Sequence, residues 1–222
     1  AGPALADLYA RIAEDRLQAA VARGVTQYVI LGAGFDTFAY RQPAWAAGLR
    51  IIEVDSPATQ QVKRQMLAAA GITPPGNVVY ADIDLEQETL DAGLTRHHVA
   101  LYQPTLFAWL GVTMYLAPET VDQVLHTLAT FPVGSEVVLT FAWPPGDPHV
   151  TQGTSTLAER AAKAGEPWRT FFLPTDLEAR LHAVGFSQVT FLSPAASQEQ
   201  YYAGRPDDLP APRISTIVAA VR

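Results

Sequence analysis

Apolar residues along the chain follow two rhythms. Leu5, Leu8, Ile12 and the Ala19 to Val21 group recur at helical spacing, which predicts an amphipathic helix over residues 4–22, ended by Gly24. Short apolar runs rich in β-formers then predict strands at 27–31, 50–54, 77–80, 105–110, 136–141, 187–192 and 214–221. Helical stretches separate most of them. Ser56-Pro57 supplies an N-cap and a first-turn proline for a helix running to about Ala70. Residues 86–92 read as a short helix, and Pro118 opens another whose Val121, Val124, Leu125 and Leu128 share a face. A loop rich in Pro and Gly at 143–153 precedes a helix at 154–164. Thr175-Asp176-Leu177-Glu178 reads as a capping box for a helix ending at Gly185.

Strands alternating with helices imply right-handed crossovers and a mostly parallel sheet covered on both faces. The connection at 193–213 is irregular and leaves no room for a helix, so the last two strands are expected to pair antiparallel at an edge. The fold class is therefore α/β: a Rossmann-like, doubly wound sheet of about seven strands, mostly parallel. Such sheets bind ligands beyond the carboxyl ends of their strands, at the switch point. Chemistry is expected in the turns after the first four strands.

The 222 residues suffice for one domain, read as 1–222, with residues 1–23 a helix packing on the ligand site. A hydrophobic share of 49% rules out intrinsic disorder, and the absence of cysteine excludes thiolate metal sites and cysteine nucleophiles. The net charge of −7, with Lys63 and Lys163 the only lysines, argues against nucleic acid and anionic membranes as partners. The longest apolar run, 99–116, is broken by Gln103, Pro104 and Gly111 and reads as a buried strand and turn. No basic segment followed by an apolar one opens the chain, so the expected location is the cytoplasm. His97, His98, His126, His149 and His182 show no ligand spacing, and no metal is expected. Oligomeric state is not legible.

The first strand runs directly into Gly32-Ala33-Gly34-Phe35-Asp36-Thr37. Two glycines one residue apart let the backbone turn tightly and approach a ligand. Alone this is an ordinary strand-to-helix turn; after a first strand, with an acid ending the second, it reads as a nucleoside cofactor site. A dinucleotide fingerprint wants glycine at position 37 and no acid beside the pyrophosphate. Two like charges at 4 Å cost about 4 kcal/mol at an effective dielectric of 20. Asp36 and Thr37 therefore favour S-adenosylmethionine, which has no phosphate and carries a sulfonium cation. At the end of strand two, Asp55 is placed to accept from ribose hydroxyls, with Glu53 as a rival on the same strand face. After strand three, Asp82 and Asp84 compete for the adenine amino group, and each is equally readable as a helix cap. Arg11 is suited to capture a carboxylate, although a helical arginine is usually just solvated.

Residues 27–37, Ala39-Tyr-Arg41, Glu53-Val-Asp55, Asp84-Leu85 and residues 104–116 together resemble the leucine carboxyl methyltransferase-like family. That family includes protein phosphatase carboxyl methyltransferases, bacterial and mycobacterial methyltransferases, and polyketide O-methyltransferases; this chain is most similar to the bacterial O-methyltransferase branch. Gly165-Glu-Pro-Trp, Phe171-Phe and Tyr201-Tyr-Ala-Gly-Arg205 extend the resemblance over nearly the whole chain. The resemblance implies a class I methyltransferase fold, with S-adenosylmethionine as cofactor and S-adenosylhomocysteine as product. It implies Arg11 on the cofactor carboxylate, Gly32, Ala33 and Gly34 as the cofactor loop, Asp55 on the ribose, Asp84 and Leu85 on the adenine, and Trp109 beside the cofactor. Trp109-Leu110-Gly111 stands where many members have Ala-Glu-Gly, so the cofactor's amino group must rely on backbone carbonyls. Phe38 replaces a frequent Arg, and members usually carry more chain before the Arg11 helix.

The expected activity is O-methylation of a small-molecule hydroxyl or carboxyl group, with carboxyl methylation of a protein or peptide C-terminus as the alternative. A nicotinamide-linked oxidoreductase and a non-catalytic S-adenosylmethionine-binding module are alternatives from other classes. Trp109, Thr113 and Tyr115 are candidates on the acceptor side, although Trp109 reads better as core packing, and His149 is a base candidate only by its position. No catalytic base is assigned.

Overall fold

A computed structural model describes residues 3–150, 152–205 and 210–222. Helix α1 (Pro3–Ala22) leads into β1 (Gln27–Leu31), β2 (Arg50–Asp55), α2 (Pro57–Ala69), β3 (Val78–Asp82), α3 (Leu90–Arg96) and β4 (Thr105–Trp109). Then follow α4 (Pro118–Leu128), β5 (Glu136–Thr140), α5 (Gln152–Lys163), α6 (Pro174–Val184), β6 (Gln188–Phe191), α7 (Pro194–Ser197) and β7 (Ile217–Val221). The strands form one seven-stranded sheet in the order β3-β2-β1-β4-β5-β7-β6. Strands β1 to β5 pair in parallel, and β7 runs antiparallel to both β5 and β6. This is the class I Rossmann-like sheet, and its order reverses between β1 and β4.

Because every residue of β1, β4 and β5 is buried, these strands read as continuous apolar runs rather than alternating ones. One face carries α1, through Leu8, Ile12, Ala13 and Leu17, and two 3₁₀ turns at Phe38–Tyr40 and Ala44–Ala46. The other face packs α3, α4 and α6, through Leu94, Val124, Leu128 and Leu181, against Phe107, Trp109 and Val137. Ser56 caps α2 as expected, its Oγ accepting from the Thr59 amide at 3.3 Å.

Three expectations are corrected. The helix placed at 86–92 starts at Leu90, because the preceding residues turn around Asp84, whose Oδ1 accepts from the Glu86 amide at 3.0 Å. Gly93 lets that helix lie close to β3: a Cβ there would stand 2.6 Å from Ile83. Helix α6 begins at Pro174 with Leu173 at its N-cap and no side-chain cap, so the Thr175 capping box does not form. The connection before β7 does hold a helix, α7, capped by Ser193 and continued by a π turn at Gln198–Tyr202.

Candidate active site

Strand β1 has β2 on one side and β4 on the other, so its carboxyl end opens at the switch point. There the backbone turns through Gly32 at φ +65° and Gly34 at φ +43°, a region that side-chain-bearing residues rarely adopt. A Cβ on Gly32 would collide with Val112 Cγ2, whereas one on Gly34 would meet only the Gly32 carbonyl oxygen, at 3.9 Å. Asp55 fastens the elbow: its Oδ2 accepts from the Gly34 amide at 2.6 Å and its Oδ1 from the Ser56 amide at 2.8 Å. Each oxygen keeps acceptor capacity for a further donor.

Two hollows meet at Gly32. The larger, about 530 Å³, lies between the elbow, α1 and the turn after β4; Ala6, Asp7, Tyr9, Asp36 and Gly111 are among its walls. The smaller, about 140 Å³, is walled by Asp55, Ser56, Asp84, Leu85 and Val112. The structure thus brings together Gly32, Ala33, Gly34, Asp55, Asp84 and Leu85. Asp82 lies elsewhere, paired with Arg96 at 3.1 Å and His97 at 2.6 Å, so the geometry separates the two acids that sequence left in competition. Glu53, the rival of Asp55, is buried and paired with Lys63 at 2.8 Å.

Five candidate residues are not brought to these hollows. Arg11 is exposed, with its guanidinium carbon 5.7 Å from the Tyr201 ring centroid, because the face of α1 toward the cleft carries Ala6, Asp7 and Ala10 instead. Trp109 is 0% exposed and packs in the core beneath α4 and α6. Thr113 is buried and its hydroxyl donates to the Thr140 carbonyl at 2.7 Å. Tyr115 is partly exposed, edge-on to Trp168 at 6.4 Å. His149 is exposed and packs against Trp143 at 5.9 Å, with no group oriented by it in the cleft.

Among the described residues, the walls of the larger hollow hold two carboxylates, Asp7 and Asp36, and no Lys, Arg or His. Burial pushes the Asp36 carboxyl above the usual carboxylate range, opposed by the hydrogen bond from the Phe38 amide and by Lys63 and Arg41. Burial also pushes the Tyr9 phenol up to about 12, so at neutral pH it stays protonated. Behind the elbow, Tyr80 donates to Tyr40, which donates to Glu53, while Lys63 sits 5.3 Å from the Tyr40 ring centroid. Sequence reading missed Asp7 and Tyr9, for which a helix pattern gives no signal of which face meets a ligand. It used Asp36 to choose between cofactors without assigning it to the site.

Residues 6–129 match the leucine carboxyl methyltransferase family. A Bacillus subtilis protein named "Putative S-adenosyl-L-methionine-dependent methyltransferase YktD" is 33% identical over 198 residues, covering 85% of this chain and 62% of that protein. The chain spans about half to six-tenths of the length of the curated relatives it matches. Among solved structures, a Thermobifida fusca protein described as "a putative methyltransferase" is similar at a TM-score of 0.69 and 18% identity, covering 97% of this chain and 80% of that one. Magnesium protoporphyrin IX methyltransferase from Synechocystis, with bound S-adenosylhomocysteine, is similar at 0.57 and 15%, covering 98% and 84%. These two likenesses establish the fold.

Proposed function

The chain belongs to the leucine carboxyl methyltransferase family, whose cofactor is S-adenosylmethionine, and from that premise we propose that it methylates an oxygen of a small molecule. The observation that carries the reading is the elbow itself: two glycines at positive φ, fastened by Asp55, with a hollow on either side. The residues present fit the cofactor. Gly34 leaves room for close approach, and a wall of carboxylates without a cation suits a ligand bearing a sulfonium and excludes a diphosphate.

When bound, S-adenosylmethionine supplies an electrophilic methyl group on positively charged sulfur. Asp55 would accept from the ribose hydroxyls through its free lone pairs, and Asp84 would take the adenine amino group beside Leu85 and Val112. The chemistry the cofactor would supply is transfer of that methyl to the acceptor oxygen, with the carbon–sulfur electron pair leaving on sulfur and the hydroxyl proton passing to solvent. The protein's share of the work is alignment in a water-poor site. Asp7 and Asp36 favour a hydroxyl acceptor over a carboxylate, because a second anion in that hollow meets their repulsion. Carboxyl methylation of a peptide C-terminus is the second reading, favoured by the family match itself.

Calorimetric titration with S-adenosylmethionine, S-adenosylhomocysteine and NADH tests the cofactor site. The first two bind and the third does not; Asp55→Ala weakens binding about tenfold or more, as loss of charged hydrogen bonds worth roughly 1.5–3 kcal/mol requires. Release of S-adenosylhomocysteine is then followed with small hydroxyl compounds and with peptides ending in leucine. Turnover of the peptides alone would replace the small-molecule reading with the second one.

A further inference from the structure

We propose that Asp36 is a specificity-determining residue of the cofactor site: its carboxylate recognises the positive charge of the methyl donor and so favours S-adenosylmethionine over the neutral-sulfur product. This rests on the cofactor reading above and deepens it.

Three features of the carboxylate set it apart. It stands in the wall of the larger hollow, one residue beyond the segment that turns at Gly34. It is tethered at one atom only: Oδ1 accepts from the Phe38 amide at 2.8 Å, while Oδ2 takes no hydrogen bond among the described residues. Among the described residues no cation lies within ion-pair distance of it, and the two whose charge acts on it from farther off are engaged elsewhere. Lys63 is paired with Glu53, and Arg41 with Glu14. Most buried acids are neutralised by a partner. This one is held in place, mostly buried, with its charge left for whatever enters the hollow.

The charge it faces changes during the reaction. S-adenosylmethionine brings a sulfonium, and after methyl transfer the same sulfur is a neutral thioether. An acid beside the hollow therefore strengthens binding of the donor and leaves the product nearly untouched. The effect eases product release and keeps the site open to the donor when both are present. Asp7, the other acid in these walls, is exposed at the rim, where solvent screens it.

The groups facing Asp36 come from every neighbouring element: Lys63 on α2, Glu53 on β2, Tyr28 on β1, Glu14 on α1 and Arg41 after the first 3₁₀ turn. Because burial raises its pKa, mild acidification neutralises Asp36. The preference for the donor should then shrink as pH falls, through a window above the ordinary carboxylate range.

The test is calorimetry with three ligands: S-adenosylmethionine, S-adenosylhomocysteine, and an unreactive analogue with an ammonium group in place of the sulfonium. Asp36→Asn keeps an oxygen for the Phe38 amide, and Asp36→Ser does so with a shorter side chain. In both variants the two cationic ligands should weaken about tenfold, the fold-change expected of one partly screened charge pair. The product's affinity should stay within about twofold, and the pH dependence of the preference should vanish. An unchanged donor-to-product ratio in the variants, or an equal loss of all three ligands, overturns the assignment of Asp36. Failure of all three to bind the wild-type protein overturns the cofactor reading as well.

Discussion

At the scale of single residues, the elbow sets its demands at Gly32 and Asp36. Gly32 is fixed twice over, by its positive φ and by Val112 standing where a Cβ would go. Gly32→Ala should therefore cost about 1–3 kcal/mol and lower the melting temperature by several degrees in calorimetry. Asp36 carries the opposite kind of strain. A carboxyl whose folded pKa lies above its unfolded value lends stability at low pH and loses it as pH rises through the folded pKa. Asp36→Asn should thus melt higher than wild type at pH 7 without ligand, with the gap closing as pH falls. A variant that is steadier yet binds the donor less well is the usual bargain of a functional acid. The double-glycine elbow was legible in the sequence because backbone geometry restricts residue choice there. Arg11 and Trp109 were misplaced because a side chain's direction is decided by tertiary packing, which spacing alone does not report.

Among the elements, α1 does most to complete the site. Its Ala6, Asp7, Tyr9 and Ala10 wall the larger hollow, while at its other end Arg16 and Arg23 both reach Glu136 at the foot of β5. Glu136 is 1% exposed, whereas the arginines are partly exposed, so the two sides of this contact are unequal. Glu136→Gln leaves two arginines free to turn to water and should cost about 1 kcal/mol. Changing both arginines to Met strands a buried carboxylate and should cost about 3 kcal/mol, measured by denaturant unfolding. The periodicity of α1 and the apolar runs of the strands were readable, since burial writes itself into composition. The start of α3 was not, because the turn that delays it is made by the Asp84 side chain. Helix α7 was hidden for a related reason: four residues are too few to show a period.

For the molecule as a whole, a doubly wound, mostly parallel sheet of seven strands followed from alternation, whereas the order 3-2-1-4-5-7-6, with β7 inserted antiparallel between β5 and β6, did not. The acceptor was not legible, because loops at the mouth of a cleft share no pattern with the scaffold beneath them. A ligand that touches β1, β2, β3 and the turn after β4 together ties the sheet's central strands to one another. S-adenosylhomocysteine at 100 times its Kd should raise stability by about 2.7 kcal/mol, read as a shift in the unfolding midpoint. The Val112 side chain stands over Gly32, the residue that both hollows share, and walls the smaller of them. Trimming it, as in Val112→Ala, would deepen the smaller hollow, which makes this the position to vary when engineering the protein to accept donors with a bulkier base.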